Sequence, residues 1–264
     1  MSIESSISNG VEERKPIKQY SFGELRAICQ KTAPNPARES IMGLLSRFFA
    51  IYFTKLFVRL GLNSHAVTIL SVAAFFCGLA TFYLGNYWFN LLGVLLMFIS
   101  IVWDCCDGEV ARFRQTAGLV GGSYTEPVSH DVQYGFGFIF LAVIMYYTQD
   151  YPAYYLILGA VAGISKLLYR SLELRFWNIA YGDASREQIQ QIKQDYYKKP
   201  LLVRAFYWFN KNAFSSTAIF TILLLFTVID KVYLYFWWFG VGYFVLYGLL
   251  FLKQVYLINV RNLK

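Results

Sequence analysis

Several windows of 17–21 residues in this chain of 264 carry no charged side chain. A helix needs roughly 20 apolar residues to cross the hydrocarbon of a bilayer. Inside hydrocarbon the backbone must satisfy its own hydrogen bonds, so long windows of this kind form helices rather than isolated strands. Composition agrees. The apolar share is 57% and the charged share 15%, against about 45–50% and about 25% in a soluble domain. The chain therefore reads as an all-α, polytopic membrane protein. Six spans are expected, at about 66–85, 87–103, 132–149, 152–169, 214–229 and 232–252. Turn residues punctuate them at Gly85-Asn86 and at Gln149-Asp150-Tyr151-Pro152.

Six spans put both termini on one side, and the basic residues say which. Lys and Arg number 9 before residue 63, 2 in residues 104–131, 9 in residues 166–213 and 3 after residue 252. Only Lys231 falls in an outer loop. The positive-inside rule makes both termini, the 104–131 hairpin and the 166–213 loop cytoplasmic, in the plasma membrane of a bacterium or archaeon. This topology accounts for the net charge of +8 without nucleic acid as a partner.

Three units are expected: a cytoplasmic segment 1–39, an interfacial helix 40–61 and a membrane domain 62–264. Met1 to Glu39 is polar and lacks the apolar core of a secretory signal, so the first span is expected to act as the targeting element. Its first 35 or so residues read as partly disordered. Ser40 to Gly61 is apolar but carries Arg47, Lys55 and Arg59. These three fall within an arc of roughly 120° on a helix, which suits an amphipathic helix lying in the cytoplasmic interface. A seventh span is the alternative. Asp183 to Lys199, with Phe206, Tyr207 and Trp208 beyond it, reads as a surface helix or lid at headgroup level. The four cysteines, Cys29, Cys77, Cys105 and Cys106, have neither disulfide nor zinc spacing.

One stretch breaks the apolar pattern. Trp103 to Gln115 places Asp104, Asp107, Glu109 and Arg112 directly after a long apolar run. On a helix Asp104, Asp107 and Ala111 share a face, with Gly108 beside them and the two aspartates about 4.5 Å apart along the axis. Such a pair repels itself unless it meets a cation, and Mg²⁺ or Mn²⁺ prefers hard oxygen ligands of this type. Gly122, Glu126 and His130 repeat at four-residue intervals and share a face of the following helix. Two antiparallel helices would gather the four side chains, with Asp131 nearby, around two metals. Plainer roles stay open: ion pairs to Arg112 or Arg114 for the aspartates, a helix start for Glu126, and packing for His130.

The order D-x-x-D-G-x-x-A-R, nine residues, then G-x-x-x-E-x-x-x-H resembles the signature of the CDP-alcohol phosphotransferase family, which ends in G-x-x-x-D-x-x-x-D. The resemblance implies six transmembrane helices, a homodimer, and a cytoplasmic site with two Mg²⁺ or Mn²⁺ ions. It implies Asp104, Asp107, Glu126 and His130 as metal ligands, with His130 also the base for the incoming hydroxyl. Gly108, Ala111, Arg112 and Gly122 would shape the site for the CDP moiety. Thr68 matches a position expected near the nucleotide, while His65 stands where the family often has asparagine. Glu126 and His130 replace the last two aspartates, and Asp131 is a second candidate for the base. Lys166, Arg170 and Arg175 are candidates for holding an anionic acceptor or headgroup, or are topology anchors.

The expected activity is transfer of a substituted phosphate from a CDP-alcohol to an alcohol or lipid acceptor, with release of CMP. Which partner carries the CDP is open at this level. A non-catalytic member with a binding or scaffolding role is the principal alternative. A transporter fits less well, because the acids lie at the end of the spans and not at the midplane.

Overall fold

The computed structural model describes residues 15–30, 39–116, 120–181 and 200–261, and no strand occurs among them. Among the described residues a 3₁₀ turn, Ile17–Gln19, precedes ten α-helices. These are α1 (Phe22–Cys29), α2 (Ile41–Arg59), α3 (Ser64–Phe82), α4 (Tyr87–Phe113) and α5 (Val120–Asp131). Then follow α6 (Gly137–Thr148), α7 (Tyr154–Tyr181), α8 (Leu201–Ala213), α9 (Ser216–Val228) and α10 (Tyr233–Arg261).

Short polar residues start the helices where the sequence places them. Ser21, Ser40, Asn63, Asn86 and Ser215 each accept a hydrogen bond from a backbone N–H in the first turn of the helix that follows. This satisfies donors that a helix leaves orphaned at its start. At Ser21 the cap is reciprocal, because Glu24 reaches back to the Ser21 backbone. These bonds draw the exposed Glu24 carboxyl below its ordinary pKa. The α3–α4 turn closes at Gly85, whose φ of +62° suits a residue without Cβ.

Among the described residues, six helical stretches are long and apolar enough to cross a membrane: Ile41–Arg59, Ser64–Phe82, Tyr87–Phe113, Thr125–Thr148, Tyr154–Phe176 and Tyr233–Asn259. The architecture is that of an all-α, multi-pass membrane protein. Membership of the six differs from the expectation at two places. The stretch read as an interfacial helix, α2, has the length and apolarity of a span. The expected span at 214–229 is the short helix α9, which passes the same test only together with α8, from which it bends by 67°. Its 13 residues reach only about 20 Å at 1.5 Å per residue. The expected lid, Asp183 to Lys199, lies outside the described residues.

Two further boundaries matter for the site. α4 does not stop at residue 103 but continues through both aspartates to Phe113. The span expected at 132–149 begins earlier, as α5, with Pro127 inside it and a π-turn at Val132–Phe136 joining it to α6. Proline removes a backbone donor within a helix, and a π-turn absorbs an extra residue, a feature frequent at functional sites.

The main core is aromatic. Phe75, Phe82, Phe138, Phe220, Phe236, Phe239 and Tyr243 are buried together and join α3, α6, α9 and α10. A smaller cluster of Ala50, Phe57, Val67, Val102, Cys106 and Val110 fastens α2 to α3 and α4. Leu25, Cys29, Ile51 and Phe113 fasten α1. So part of the segment expected to be partly disordered is a capped, docked helix. α3 and α4 approach most closely at two glycines. A Cβ at Gly93 would stand 2.6 Å from the Gly78 carbonyl oxygen and 2.4 Å from Thr81 Oγ1. Small residues at such crossings let membrane helices pack backbone to backbone. Gly93→Leu is therefore expected to lower stability by about 1–3 kcal/mol or more through overpacking, read as a lower unfolding midpoint in detergent, whereas Gly248→Ala, in open space, leaves it unchanged.

Candidate functional site

The fold brings together the two halves of the motif that the sequence separates. Near the end of α4, Asp104 faces His130 at the end of α5. His130 Nε2 lies 3.0 Å from Asp104 Oδ1 and 2.9 Å from Oδ2. Both neighbours are carboxylate oxygens, so Nε2–H donates, and Nδ1 is the ring nitrogen that can accept a proton. Tyr134 packs against the imidazole with centroids 5.2 Å apart. A carboxylate that orients an imidazole by one nitrogen and leaves the other for chemistry is a recurrent base arrangement.

Asp107, one turn on, is buried, with 5% of its surface exposed. Its Oδ2 accepts from Thr68 Oγ1 at 2.7 Å, which ties the first turn of α3 to the site. Asp104 and Glu126 both stand close enough for their charges to act on Asp107, and Glu126 acts on His130 as well. Glu126 itself is exposed. The backbone around this acid cluster is drawn in by a second contact, between Thr125 Oγ1 and His65 Nδ1 at 3.2 Å. His65 thus links α3 to α5 and does not touch Asp104 or Asp107 by a hydrogen bond.

The alternative base is otherwise engaged. Asp131 Oδ1 accepts from Arg170 Nη1 at 2.7 Å, so the cation expected to hold a substrate group is paired with the residue next to His130. Both line a cavity of about 350 Å³ with Ser171, Arg175 and Asn178. Lys166, one turn earlier on α7, lies over the Tyr243 ring at 5.0 Å. It lines a larger cavity of about 690 Å³ between α7, α8 and α10, whose walls include Glu173, Arg204, Tyr207, Trp208 and Lys211. His65, Thr68, Ile69, Val72, Thr125 and Val128 line a groove of about 470 Å³. The surface that lines this groove is almost wholly apolar.

Gly108 and Arg112 form a unit. A Cβ at Gly108 would meet the Arg112 guanidinium, Nη1 at 3.2 Å, so the arginine fork lies across the glycine directly after Asp107. Its Nε donates to the carbonyl oxygen of Cys29, the last residue of α1. Ala111 is half-buried on the same helix, and Gly122 lies in the first turn of α5. Glu109 was no part of the expected site, yet it is one of the most buried residues in the protein, at 1% exposure. Gln30 Nε2 donates to its Oε1 at 2.6 Å and Thr54 Oγ1 to its Oε2 at 2.7 Å. The signal available in sequence was an unexplained acid within the motif; its partners lie in α1's cap and α2, 79 and 55 residues away.

Among the described residues, no three His, Cys, Asp or Glu side chains are gathered in the arrangement that a metal ion needs. Asp104 and Asp107, one turn apart on α4, are nevertheless oxygen donors of the type a hard divalent cation prefers. Both oxygens of Asp104 lie within hydrogen-bond distance of His130 Nε2. No protein-family model matches the chain, and no curated protein matches it.

The Thr68–Asp107 bond provides a direct stability test. Thr68→Val leaves a buried carboxylate oxygen without its donor and is expected to lower stability by about 1–3 kcal/mol, while Thr68→Ser retains most of it. Denaturation midpoints of the two variants in the same detergent check this.

Proposed function

We propose that this chain is an integral-membrane phosphotransferase, which moves a substituted phosphate from a CDP-alcohol to an acceptor hydroxyl and releases CMP. The observation that carries the reading is the pairing of Asp104 with His130 Nε2 beside the buried Asp107. It gives the signature motif a base with its orienting carboxylate, in the position where the family resemblance implies the base. The signature face would lie on the cytoplasmic side, where the basic residues concentrate.

Each residue has a chemical task in this reading. His130 Nδ1 takes the proton of the acceptor hydroxyl, and Asp104 stabilises the imidazolium that results. The acceptor oxygen attacks the phosphorus distal to cytidine; a new P–O bond forms, the bond to the CMP oxygen breaks, and CMP leaves with that electron pair. Asp107, Asp104 and Glu126 would hold Mg²⁺ or Mn²⁺, which when bound neutralises charge on the diphosphate and on the departing CMP. Thr68 fixes the Asp107 carboxylate. Arg112, lying over Gly108, presents a fork suited to phosphate oxygens. Asp131 is occupied by its ion pair with Arg170.

Two openings in the protein suit partners of different polarity. The groove beside Thr68 suits an acyl chain entering from the bilayer, and the cavity with Lys166, Arg204 and Lys211 suits an anionic, water-soluble alcohol. This arrangement favours a lipid-linked CDP donor and a hydrophilic acceptor. A non-catalytic role is the competing reading, because an Asp104–His130 pair also satisfies two partly buried groups without any chemistry.

Purified protein in nanodiscs, supplied with Mg²⁺ or Mn²⁺ and a panel of CDP-alcohols and acceptors, is expected to release CMP. EDTA and Asp107→Ala should abolish release. His130→Ala should lower it by about 10²–10⁴-fold, the usual share of a general base, with Asp131→Ala affecting it far less. Absence of CMP release from every pair, with no divalent ion bound, would leave the binding or scaffolding role. A larger loss in Asp131→Ala than in His130→Ala would transfer the base to Asp131.

A further inference from the structure

We propose that the N-terminal helix α1 is a working part of the substrate site, with Gln30 as the positioning residue. Gln30 acts through Glu109 and Arg112 on the turn of α4 that runs from Asp107 to Arg112. The inference rests on the phosphotransferase reading, and concerns how that turn meets the diphosphate of the donor.

The case begins with Glu109. Two residues beyond Asp107, it points roughly 200° around the helix, away from the acid cluster and toward α1 and α2. A carboxylate buried this deeply requires donors on both oxygens, and it has them: Gln30 from the cap of α1 and Thr54 from α2. An apolar residue would pack α4 against these helices without the desolvation penalty. What the carboxylate adds is direction, because two short hydrogen bonds fix the rotation of α4 about its axis more narrowly than apolar contact does. Gln30 Nε2 also reaches the Arg47 carbonyl oxygen at 2.9 Å, so one amide joins the cap of α1 to both α2 and α4.

The second tie runs through Arg112. Its Nε donates to the Cys29 carbonyl oxygen, adjacent to Gln30, while its terminal nitrogens lie across Gly108. The end of α1 therefore holds the stem side of the guanidinium, and the fork is laid over the one position after Asp107 that has no side chain. Residues 29 and 30 thus control both the orientation of the turn and the aim of its cation.

α1 is anchored well enough to do this. Leu25 and Cys29 are fully buried against Ile51 and Phe113. Tyr20 meets the Phe113 ring edge-on at 5.8 Å. Lys55 Nζ donates to the Tyr20 carbonyl oxygen at 2.6 Å, and Arg26 Nη2 to that of Phe48 at 3.1 Å. Each of these contacts joins α1 or its approach to α2 or α4, the helices beside the acids.

The test uses the full chain in nanodiscs with CDP and Mg²⁺ as the probe, and measures CDP affinity, steady-state CMP release and amide exchange in α1. Gln30→Ala is expected to weaken CDP binding and to raise KM for the donor about tenfold, as loss of a supporting partner commonly does, with kcat changed much less. In an Arg112→Ala background Gln30→Ala should add little, since the two act as one unit. In the unaltered protein CDP should slow exchange of the Phe22–Cys29 amides, a readout that needs no variant to fold. Unchanged CDP affinity in Gln30→Ala, losses that multiply in the double variant, or α1 exchange indifferent to bound CDP each overturns the proposal while the phosphotransferase reading stands. If the unaltered protein neither binds CDP nor releases CMP, that reading falls and the role of α1 falls with it.

Discussion

A carboxylate inside a helical bundle is tolerable only if each of its oxygens finds a donor or a cation, and the signature end of this protein is organised around that requirement. α4 carries three acids within six residues, Asp104, Asp107 and Glu109. Each recruits a different helix: Asp104 holds His130 of α5, Asp107 holds Thr68 of α3, and Glu109 holds Thr54 of α2 and Gln30 after α1. Removing the acids would remove the polar reason for four elements to converge at one place. The apolar clusters supply the bulk of the packing, but they are non-directional. The hydrogen bonds decide which faces meet.

The same accounting divides the acids by task. Glu109 has both oxygens bonded by the chain itself and is fully enclosed, which makes it a structural anion. Asp107 keeps a single described side-chain donor, and Glu126 is exposed beside it, so these two retain capacity for a cation or a substrate. Asp104 has both oxygens against the imidazole of His130. Three acids that look equivalent in sequence thus differ in what they are able to do.

Much of this was legible from residue order. Uncharged windows imply membrane helices because an unsatisfied backbone is too costly in hydrocarbon, and the caps at Asn63, Asn86 and Ser215 mark starts that local chemistry alone specifies. The spacing of Asp104, Asp107, Glu126 and His130 brought the right helices into view, because helical periodicity places such residues on one face. The expected span ends at about 103, and the helix that carries it continues to Phe113, as the shared face of Asp104, Asp107 and Ala111 requires. On α2, Arg47 and Lys55 are satisfied by Glu39 and by the Tyr20 carbonyl, so a basic arc on that helix is not by itself a solvent-facing one.

Sequence by itself determined the class of the protein, its helices, and the residue types that stand near one another at the end of α4, since these follow from hydrophobicity and from a 3.6-residue period. Tertiary structure decided the pairings. That His130 sits on Asp104 while Asp131 turns to Arg170, and that Glu109 faces Gln30, depends on helix rotation and on contacts across 26 to 79 residues of chain. Neighbouring residues on one helix point about 100° apart, so a small rotation exchanges one acid for the next. The glycine crossing and the aromatic core bring the helices together, and the hydrogen bonds of the acids fix that rotation.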